Sequence, residues 1–456
     1  MKACQLWYSL CAFLTVRAEA PSGLAVQQGK CPSLRADFSW MFVGNAIYAG
    51  GQFATLMLFA KLLRPELVGQ YALGLAIVYP VMMFTSLQLK AVITSAARPR
   101  IDFGQYLSLR LLTTSLALVI IFAITQILGY RRELTAVVLM VGVAYAIETI
   151  SDVYYARLQL HDRMAEISKS FIARAVLSVL ALAVATYLTR NLLWGIACIA
   201  LARVIVLFGY DICESTHGLG GGSKWFSRNR ALQARFDLKV HRELVWLCLP
   251  LGIVMLLTTL NSSVPSYFVK HALGERDLGI FTAIGFTISV GNMAVVSLGQ
   301  SAFTRMSRAY ANGDLAAFGL LLGKLLVFGA SLGVCGMIIS KLAGREILTI
   351  LFRSEYAERA DLLPWTMAVG AVLFMAQFLG FGMTAAGYYN SQVILNIFAN
   401  LSLIAACYWL AARQGLLGVI LAMLIAAIVQ LAGSAMVLAI GLRMHTRVCA
   451  NTVGTA

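Results

Sequence analysis

Long apolar runs separated by short polar loops recur along most of the chain. Two of them, Leu116–Leu128 and Leu416–Val429, are continuous and lack the regular alternation of apolar and polar positions that outer-membrane strands show. A helix needs about 20 apolar residues to cross a bilayer. The pattern therefore predicts an all-α polytopic membrane protein with about twelve transmembrane helices.

The predicted spans form two groups on either side of a long polar segment. They lie at approximately 39–60, 68–88, 106–129, 134–155, 170–189, 191–213, 244–268, 278–300, 318–340, 363–383, 391–412 and 416–441. The polar segment, 214–243, carries a glycine run but no Gly-Lys-Ser/Thr sequence, which argues against a phosphate-binding loop. We interpret it as a flexible cytoplasmic linker between an N-terminal six-helix bundle, 39–213, and a C-terminal six-helix bundle, 244–441.

Both ends of the chain extend beyond these bundles. Residues 1–38 begin with an apolar stretch that resembles a secretory signal only weakly, because Gln5, Ser9 and Thr15 interrupt it. We expect 1–38 to be a leader or N-terminal extension, and 442–456 to be a cytoplasmic tail.

Basic residues are distributed unequally between alternate loops. The set that includes the N-terminal flank from residue 30 and the C-terminal tail carries 18 Lys and Arg, and the other set carries 12. Because loops rich in Lys and Arg tend to remain in the cytoplasm, this bias predicts that both termini are cytoplasmic.

Composition agrees with a membrane protein and excludes the soluble classes. The chain is 60% hydrophobic and 12% charged, whereas soluble domains average about 45–50% apolar and about 25% charged residues. In a soluble protein the net charge of +16 would suggest a nucleic-acid partner, but here most basic residues lie in short loops, where anionic lipid headgroups explain them. We therefore expect the phospholipid bilayer, and no nucleic acid, as a partner. An anionic substrate is a second explanation of the charge.

Cysteine and histidine patterns indicate neither a metal site nor a cofactor. The nine cysteines form no CxxC pair, and the five histidines show no ligand spacing. We expect no bound metal and no cofactor.

A short motif recurs at the start of the second and eighth predicted spans. Lys61–Tyr71 and Lys270–Phe281 each present Lys, Glu, Gly and an aromatic residue in the same order, with one residue of slippage. Six spans separate the copies, so both lie on the same side of the membrane. This spacing indicates a parallel pseudo-repeat, in which two bundles enclose a central site.

Four segments of the chain resemble the polysaccharide (O-antigen-type) flippase family. They are Ser39–Tyr48, Ala60–Leu73, Leu87–Lys90 and Glu346–Tyr356. This family belongs to the superfamily of multidrug, oligosaccharidyl-lipid and polysaccharide exporters, and the resemblance extends over about 35–441.

The resemblance implies a transporter that works by alternating access in the bacterial cytoplasmic (inner) membrane. Its substrate would be an anionic oligosaccharide linked to undecaprenyl pyrophosphate, flipped from the inner to the outer leaflet for surface polysaccharides such as O-antigen or exopolysaccharide. An ion gradient, of protons or sodium, would drive transport, and a polysaccharide polymerase is a further candidate partner. The resemblance implies no enzyme activity.

Charged residues within the spans are the candidate functional residues. Arg203 lies near the middle of its span, where an unpaired charge costs at least about 2.5–3.5 kcal/mol, so we expect it to bind a diphosphate or to pair with Glu148. Glu148 and Asp152 are four residues apart on one helix face, and their mutual repulsion suits ion coupling. Asp211 is expected at the membrane edge.

Further candidates for substrate binding lie nearer the cytoplasmic side or on the first helix. Arg110, Arg174 and Lys324 lie four to six residues inside their spans, so they either bind the substrate or extend to the membrane surface. Asn45 and Gln52 lie, with Tyr48 and Thr55, on one face of the first helix. They either contact sugar hydroxyls or hydrogen-bond to neighbouring helices.

Two other functions remain possible from the sequence. A multidrug or cation antiporter of the same superfamily would use buried carboxylates, and the within-span charges here favour an anionic cargo slightly. A polytopic polysaccharide polymerase or ligase would need a large extracytoplasmic domain. The largest predicted extracytoplasmic loop, 341–362, is a short amphipathic segment without a catalytic constellation.

Overall fold

The computed structural model describes residues 34–94, 102–161, 163–216 and 236–453, which are helical apart from short turns. The helices are α1 (Leu34–Leu62), α2 (Pro65–Thr85), α3 (Leu89–Thr94), α4 (Phe103–Ile127), α5 (Arg132–Leu160), α6 (Met164–Thr189), α7 (Leu192–Val206), α8 (Leu238–Leu273), α9 (Glu275–Ala311), α10 (Leu315–Leu351), α11 (Ser354–Ala357), α12 (Leu363–Ala385) and α13 (Tyr389–Val453). A π-helical turn, Leu207–Asp211, and a short helix, Ile212–Thr216, prolong α7.

Eleven helices in the described part of the chain are long and apolar enough to cross a membrane. The last of them, Asn390–Leu442, has 53 residues, which is enough for two spans. Gly415 divides it, because its backbone (φ 58°, ψ −133°) is not helical. This division lies between the last two predicted spans, so the predicted all-α architecture and its order of spans are confirmed.

The terminal and linker predictions fall largely outside the described residues. Residues 1–33 of the predicted leader and 217–235 of the predicted linker lie outside them. Helix α8 begins at Leu238, within the segment predicted as the linker. There Asp237 caps the helix by accepting hydrogen bonds from the backbone N–H groups of Lys239 and Val240, which favours helix initiation ahead of the apolar run.

The helices form two lobes, as the repeat predicts. In the N lobe (α1–α7), α1 packs on α6, α6 on α7, and α5 on α2, α4 and α7. In the C lobe (α8–α13), α12 packs on α9, α10 and α13, and α8 packs on α13. The lobes meet mainly where α2 contacts α8 and α9. One apolar core, which includes Leu73, Val78, Leu278 and Ile284, continues across this boundary.

Two glycines at corresponding positions of the repeat bring α2 and α9 together. A Cβ on Gly69 would lie 1.9 Å from the carbonyl oxygen of Glu275, and a Cβ on Gly279 would lie 2.2 Å from that of Pro65. No side chain fits at either place, so the backbones can approach this closely only with glycine. Next to this close contact between α2 and α9, Gln70 Nε2 donates to Glu275 Oε2 at 2.8 Å, and Lys270 Nζ lies 2.5 Å from Glu275 Oε1.

The contact between α2 and α8 is also close. Tyr267 Oη donates to the carbonyl oxygen of Ala76 at 2.5 Å, and a Cβ on Gly252 would lie 2.9 Å from that of Phe84. At the beginning of α8, His241 Nε2 and Ser108 Oγ are 2.8 Å apart, which joins α8 to α4. The lobes are therefore held together at both ends of α2.

We predict that Gly279→Ala loosens the contact between α2 and α9. In a background without native cysteines, Gln70→Cys and Glu275→Cys should be joined efficiently by a short bismaleimide. Adding Gly279→Ala should lower the cross-linking yield several-fold, because overpacking of this kind costs about 1–3 kcal/mol. Gly285→Ala on the same helix is the matched control, since a Cβ there meets open space. Equal yields with both alanine variants would contradict the prediction.

Candidate functional site

A small cavity in the N lobe is lined by three of the predicted candidate residues, Gln52, Arg174 and Arg203. Its lining residues are Tyr48, Gly51, Gln52 and Thr55 from α1, Tyr71 from α2, Arg174, Ala175 and Ser178 from α6, and Ile199 and Arg203 from α7. Its free volume is about 20 Å³, room for about one water molecule. In this conformation the cavity is therefore too small for a large ligand.

Arg203 and Glu148 form an ion pair beside this cavity. Arg203 Nη1 lies 2.8 Å from Glu148 Oε2 and donates to the carbonyl oxygen of Ala144 at 2.9 Å. The guanidinium group also lies over the ring of Tyr145, 5.2 Å from its centroid. The pairing of Arg203 with Glu148, one of the two alternatives from the sequence, is thus present in this conformation.

A chain of hydrogen bonds extends this ion pair to α1. Tyr48 Oη donates to Glu148 Oε1, and Gln52 Nε2 donates to Tyr48 Oη at 3.0 Å. The chain therefore links α1, α5 and α7 through side chains only. A change of charge on Glu148 would alter contacts of all three helices.

Arg174 forms a second, fully buried ion pair. Its Nη2 lies 3.0 Å from Asp211 Oδ2, and Ser170 Oγ donates to Asp211 Oδ1 at 2.5 Å. Tyr155 lies beneath the guanidinium group, 5.4 Å from ring centroid to Cζ. The side chain of Asp211, which the sequence analysis expects at the membrane edge, is 0% exposed within the bundle. The helix continues past the end of the apolar run through the π-helical turn, which keeps Asp211 inside the bundle.

Arg110 is buried near the other predicted carboxylate. Only 2% of its surface is exposed, and Nη1 donates to the carbonyl oxygen of Ser86 at 3.0 Å. Asp152 lies within electrostatic range of both Arg110 and Lys90. The alternative that Arg110 and Arg174 extend to the membrane surface is wrong, because both side chains face the interior of the bundle.

Two predicted candidates lie away from these buried charges. Lys324 is exposed on α10 in the C lobe, and Asn45 is exposed on α1 and does not line the cavity. The structure instead adds aromatic residues that the sequence analysis did not single out as site residues. Tyr71 lines the cavity, and Tyr145 and Tyr155 lie against the arginines. For Tyr145 and Tyr155 the available signal was their position three residues from Glu148 and Asp152 on the same helix.

The three buried arginines share one property. Among the described residues, the Nε atoms of Arg110, Arg174 and Arg203 have no hydrogen-bond partner. A buried N–H donor without a partner is costly. The cluster therefore retains donor capacity for water or for an anion.

The fold is that of known membrane transporters and flippases. The lipid II flippase MurJ, in an inward closed conformation, superimposes with a TM-score of 0.71 at 13% identity, over 88% of this chain and 87% of MurJ. A multidrug resistance MATE family transporter in an inward-facing conformation gives 0.61 at 14% identity, over 93% and 96% of the two chains. The chain therefore shares the two-lobe fold of these proteins, and its candidate spans indicate a multi-pass membrane protein.

Sequence comparison identifies the family. Residues 34–310 match the family described as polysaccharide biosynthesis proteins, so this chain belongs to that family. The capsular polysaccharide biosynthesis protein CapF of Staphylococcus aureus is 24% identical over 404 residues, which are 87% of this chain and 96% of CapF. The resemblance predicted from four short segments of the sequence is confirmed.

We predict that Asp211→Asn destabilises the protein by about 3–5 kcal/mol, because the substitution leaves the buried Arg174 without a counter-charge. The free energy of unfolding of the purified protein in one detergent would measure this loss. Glu358→Gln is the control. Glu358 is 66% exposed and lies 3.7 Å from Arg276, which is 53% exposed, so its loss should cost at most about 1 kcal/mol. Equal destabilisation by the two substitutions would contradict a special role for the buried pair.

Proposed function

We propose that this protein moves an undecaprenyl-pyrophosphate-linked oligosaccharide from the inner to the outer leaflet of a bacterial cytoplasmic membrane. Transport would proceed by ion-coupled alternating access, with both termini in the cytoplasm. The observation that carries the proposal is the cluster of three buried arginines with unused Nε donors in the N lobe. Membership of a polysaccharide biosynthesis family and the fold shared with a lipid II flippase support it.

The buried arginines suit a diphosphate. A guanidinium group presents a planar fork of N–H donors that matches phosphate oxygens. Two of the arginines, Arg174 and Arg203, line the same cavity, and Gln52 and Thr55 add neutral polar groups to its wall. When the lobes separate and the cavity widens, these groups would receive the charged part of the substrate.

The Arg203–Glu148 pair offers a mechanism for ion coupling. Glu148 and a diphosphate would compete for the same guanidinium group. A proton or a sodium ion on Glu148 would weaken its hold on Arg203 and free the arginine for the substrate. Tyr48, which donates to Glu148, would transmit this change to α1. Asp152, near Arg110, is the second candidate for the coupling site.

Cation export is the second candidate function, and the geometry disfavours it. An organic cation needs an available carboxylate in the cavity. Here Glu148 is paired with Arg203 and Asp211 with Arg174, and the lining residues of the cavity include two arginines and no acid. The cavity therefore selects for negative charge.

We predict that Arg203→Gln, like Arg203→Ala, abolishes transport while the protein still inserts into the membrane. In a deletion strain that expresses the variant, lipid-linked oligosaccharide should accumulate on the cytoplasmic face and surface polysaccharide should disappear. Arg413→Gln, at an exposed arginine that lies over Trp409, is the matched control and should restore the polymer.

Two outcomes of this experiment would contradict the proposal. Full complementation by Arg203→Gln would exclude Arg203 as a diphosphate ligand. Normal polysaccharide in the deletion strain, together with new sensitivity to cationic compounds, would favour the exporter.

We predict that Glu148→Gln uncouples transport from the ion gradient. The neutral amide cannot take up a proton, so transport by this variant should be slower and should no longer respond to a collapse of the proton or sodium gradient. Transport of labelled lipid-linked oligosaccharide in inverted vesicles, with and without ionophores, would measure the response. Glu166→Gln, outside the cavity, is the control and should keep the wild-type response. An unchanged ionophore response in Glu148→Gln would exclude Glu148 from coupling.

A further inference from the structure

The C lobe contains a second and larger cavity, which is rich in carboxamides. It lies between α8, α12 and α13 and has a free volume of about 280 Å³. Four of its lining side chains are amides: Gln377, Gln392, Asn396 and Gln430. Phe381 and several hydroxyl groups, including that of Thr384, complete the polar and aromatic part of the wall.

Much of the hydrogen-bonding capacity of these amides is unused. Gln392 Nε2 donates to the carbonyl oxygen of Gly380 at 2.6 Å and to Thr384 Oγ1 at 2.9 Å, which leaves its Oε1 as an acceptor. Gln430 Nε2 reaches Asn396 Oδ1 only at 3.5 Å, the limit of a hydrogen bond. Within the described residues, the amide of Gln377 has no hydrogen bond. The amides therefore do not merely join helices to each other.

The chemistry of the wall indicates a neutral, hydroxyl-rich ligand. A carboxamide both donates and accepts hydrogen bonds, as a hydroxyl group does. Among the described residues, no acidic or basic side chain lines this cavity, in contrast to the two arginines of the N-lobe cavity. A bound metal cation would normally require a carboxylate, and the volume exceeds by far that of a single ion or water molecule. An acyl chain would leave the amides unpaired, at a cost.

Phe381 contributes an aromatic ring to the wall of the cavity, the kind of surface on which a sugar ring can pack. A Cβ on Gly299 of α9 would lie 2.2 Å from Phe381 Cε2, so the absence of a side chain at residue 299 makes room for this ring. Ligand sites combine such an apolar surface with a few polar groups that fix orientation.

We propose that the C-lobe cavity binds a neutral sugar residue of the transported substrate, while the arginines of the N lobe bind its diphosphate. This inference rests on the proposed function, and it assigns the two chemical parts of one ligand to different lobes. Gln377 and Gln430 are the specificity-determining residues, because their amides have the most unused capacity for hydrogen bonds with hydroxyl groups.

The test compares two ligands that differ only by the glycan. The full-length protein in lipid nanodiscs is titrated with undecaprenyl pyrophosphate and, separately, with the lipid-linked oligosaccharide extracted from cells that make this protein. Gln377→Leu and Gln430→Leu should each weaken binding of the glycosylated carrier about tenfold, since each removes hydrogen bonds worth up to about 1.5 kcal/mol. Both variants should bind the bare carrier within about twofold of the wild-type affinity.

Gln126→Leu is the matched control, since Gln126 is exposed at the end of α4. It should bind both ligands as the wild type does. Wild-type affinity of Gln377→Leu and Gln430→Leu for the glycosylated carrier would overturn the sugar site and leave the proposed function intact. Equal loss of affinity for both ligands would overturn it too, because the residues would not then discriminate the glycan. If the wild type bound neither ligand, the proposed function itself would fail.

Discussion

The cost of placing charge inside a membrane is the constraint on which the N lobe depends. Buried charges there need polar partners: two arginines are paired with carboxylates, and Arg110 donates to a backbone carbonyl group. Arg203 and Glu148 join α7 to α5, and Arg174 and Asp211 join α6 to the turn that prolongs α7. The ion pairs thus fix the relative positions of α5, α6 and α7, and the remaining helices pack around these three.

The end of α7 contributes to both ion pairs, supplying the cation of one and the anion of the other. Arg203 belongs to the regular helix, and Asp211 ends the π-helical turn that follows it. The additional residue in a π-helical turn changes the direction in which the next side chains point, and such turns are frequent at functional sites. Movement of α7 would therefore strain both ion pairs at once. A change at the Arg203–Glu148 pair is thus linked to a change at the π-helical turn.

The sequence was sufficient to predict most of the architecture but only part of the site. Hydropathy locates spans because a bilayer imposes their length, and the depth of Arg203 in its span made a partner necessary. Distance from a membrane edge does not say which face of a helix a side chain occupies, so the burial of Arg110 and Arg174 could not be decided. Gln377 and Gln430 lie far apart in sequence, and only the packing of α12 against α13 brings them to one cavity.

The close contact between α2 and α9 at Gly69 and Gly279 resembles a contact between two identical subunits. Gly69 meets the carbonyl group of Glu275, and Gly279 meets that of Pro65. Gly279 lies 210 positions after Gly69, and Glu275 lies 210 positions after Pro65. Reciprocal contacts of this kind are what a twofold axis produces. A chain of half this length, with a single glycine at this position, could form the same crossing with a second copy of itself. The present protein thus holds within one polypeptide the kind of reciprocal contact that a symmetric dimer makes between two.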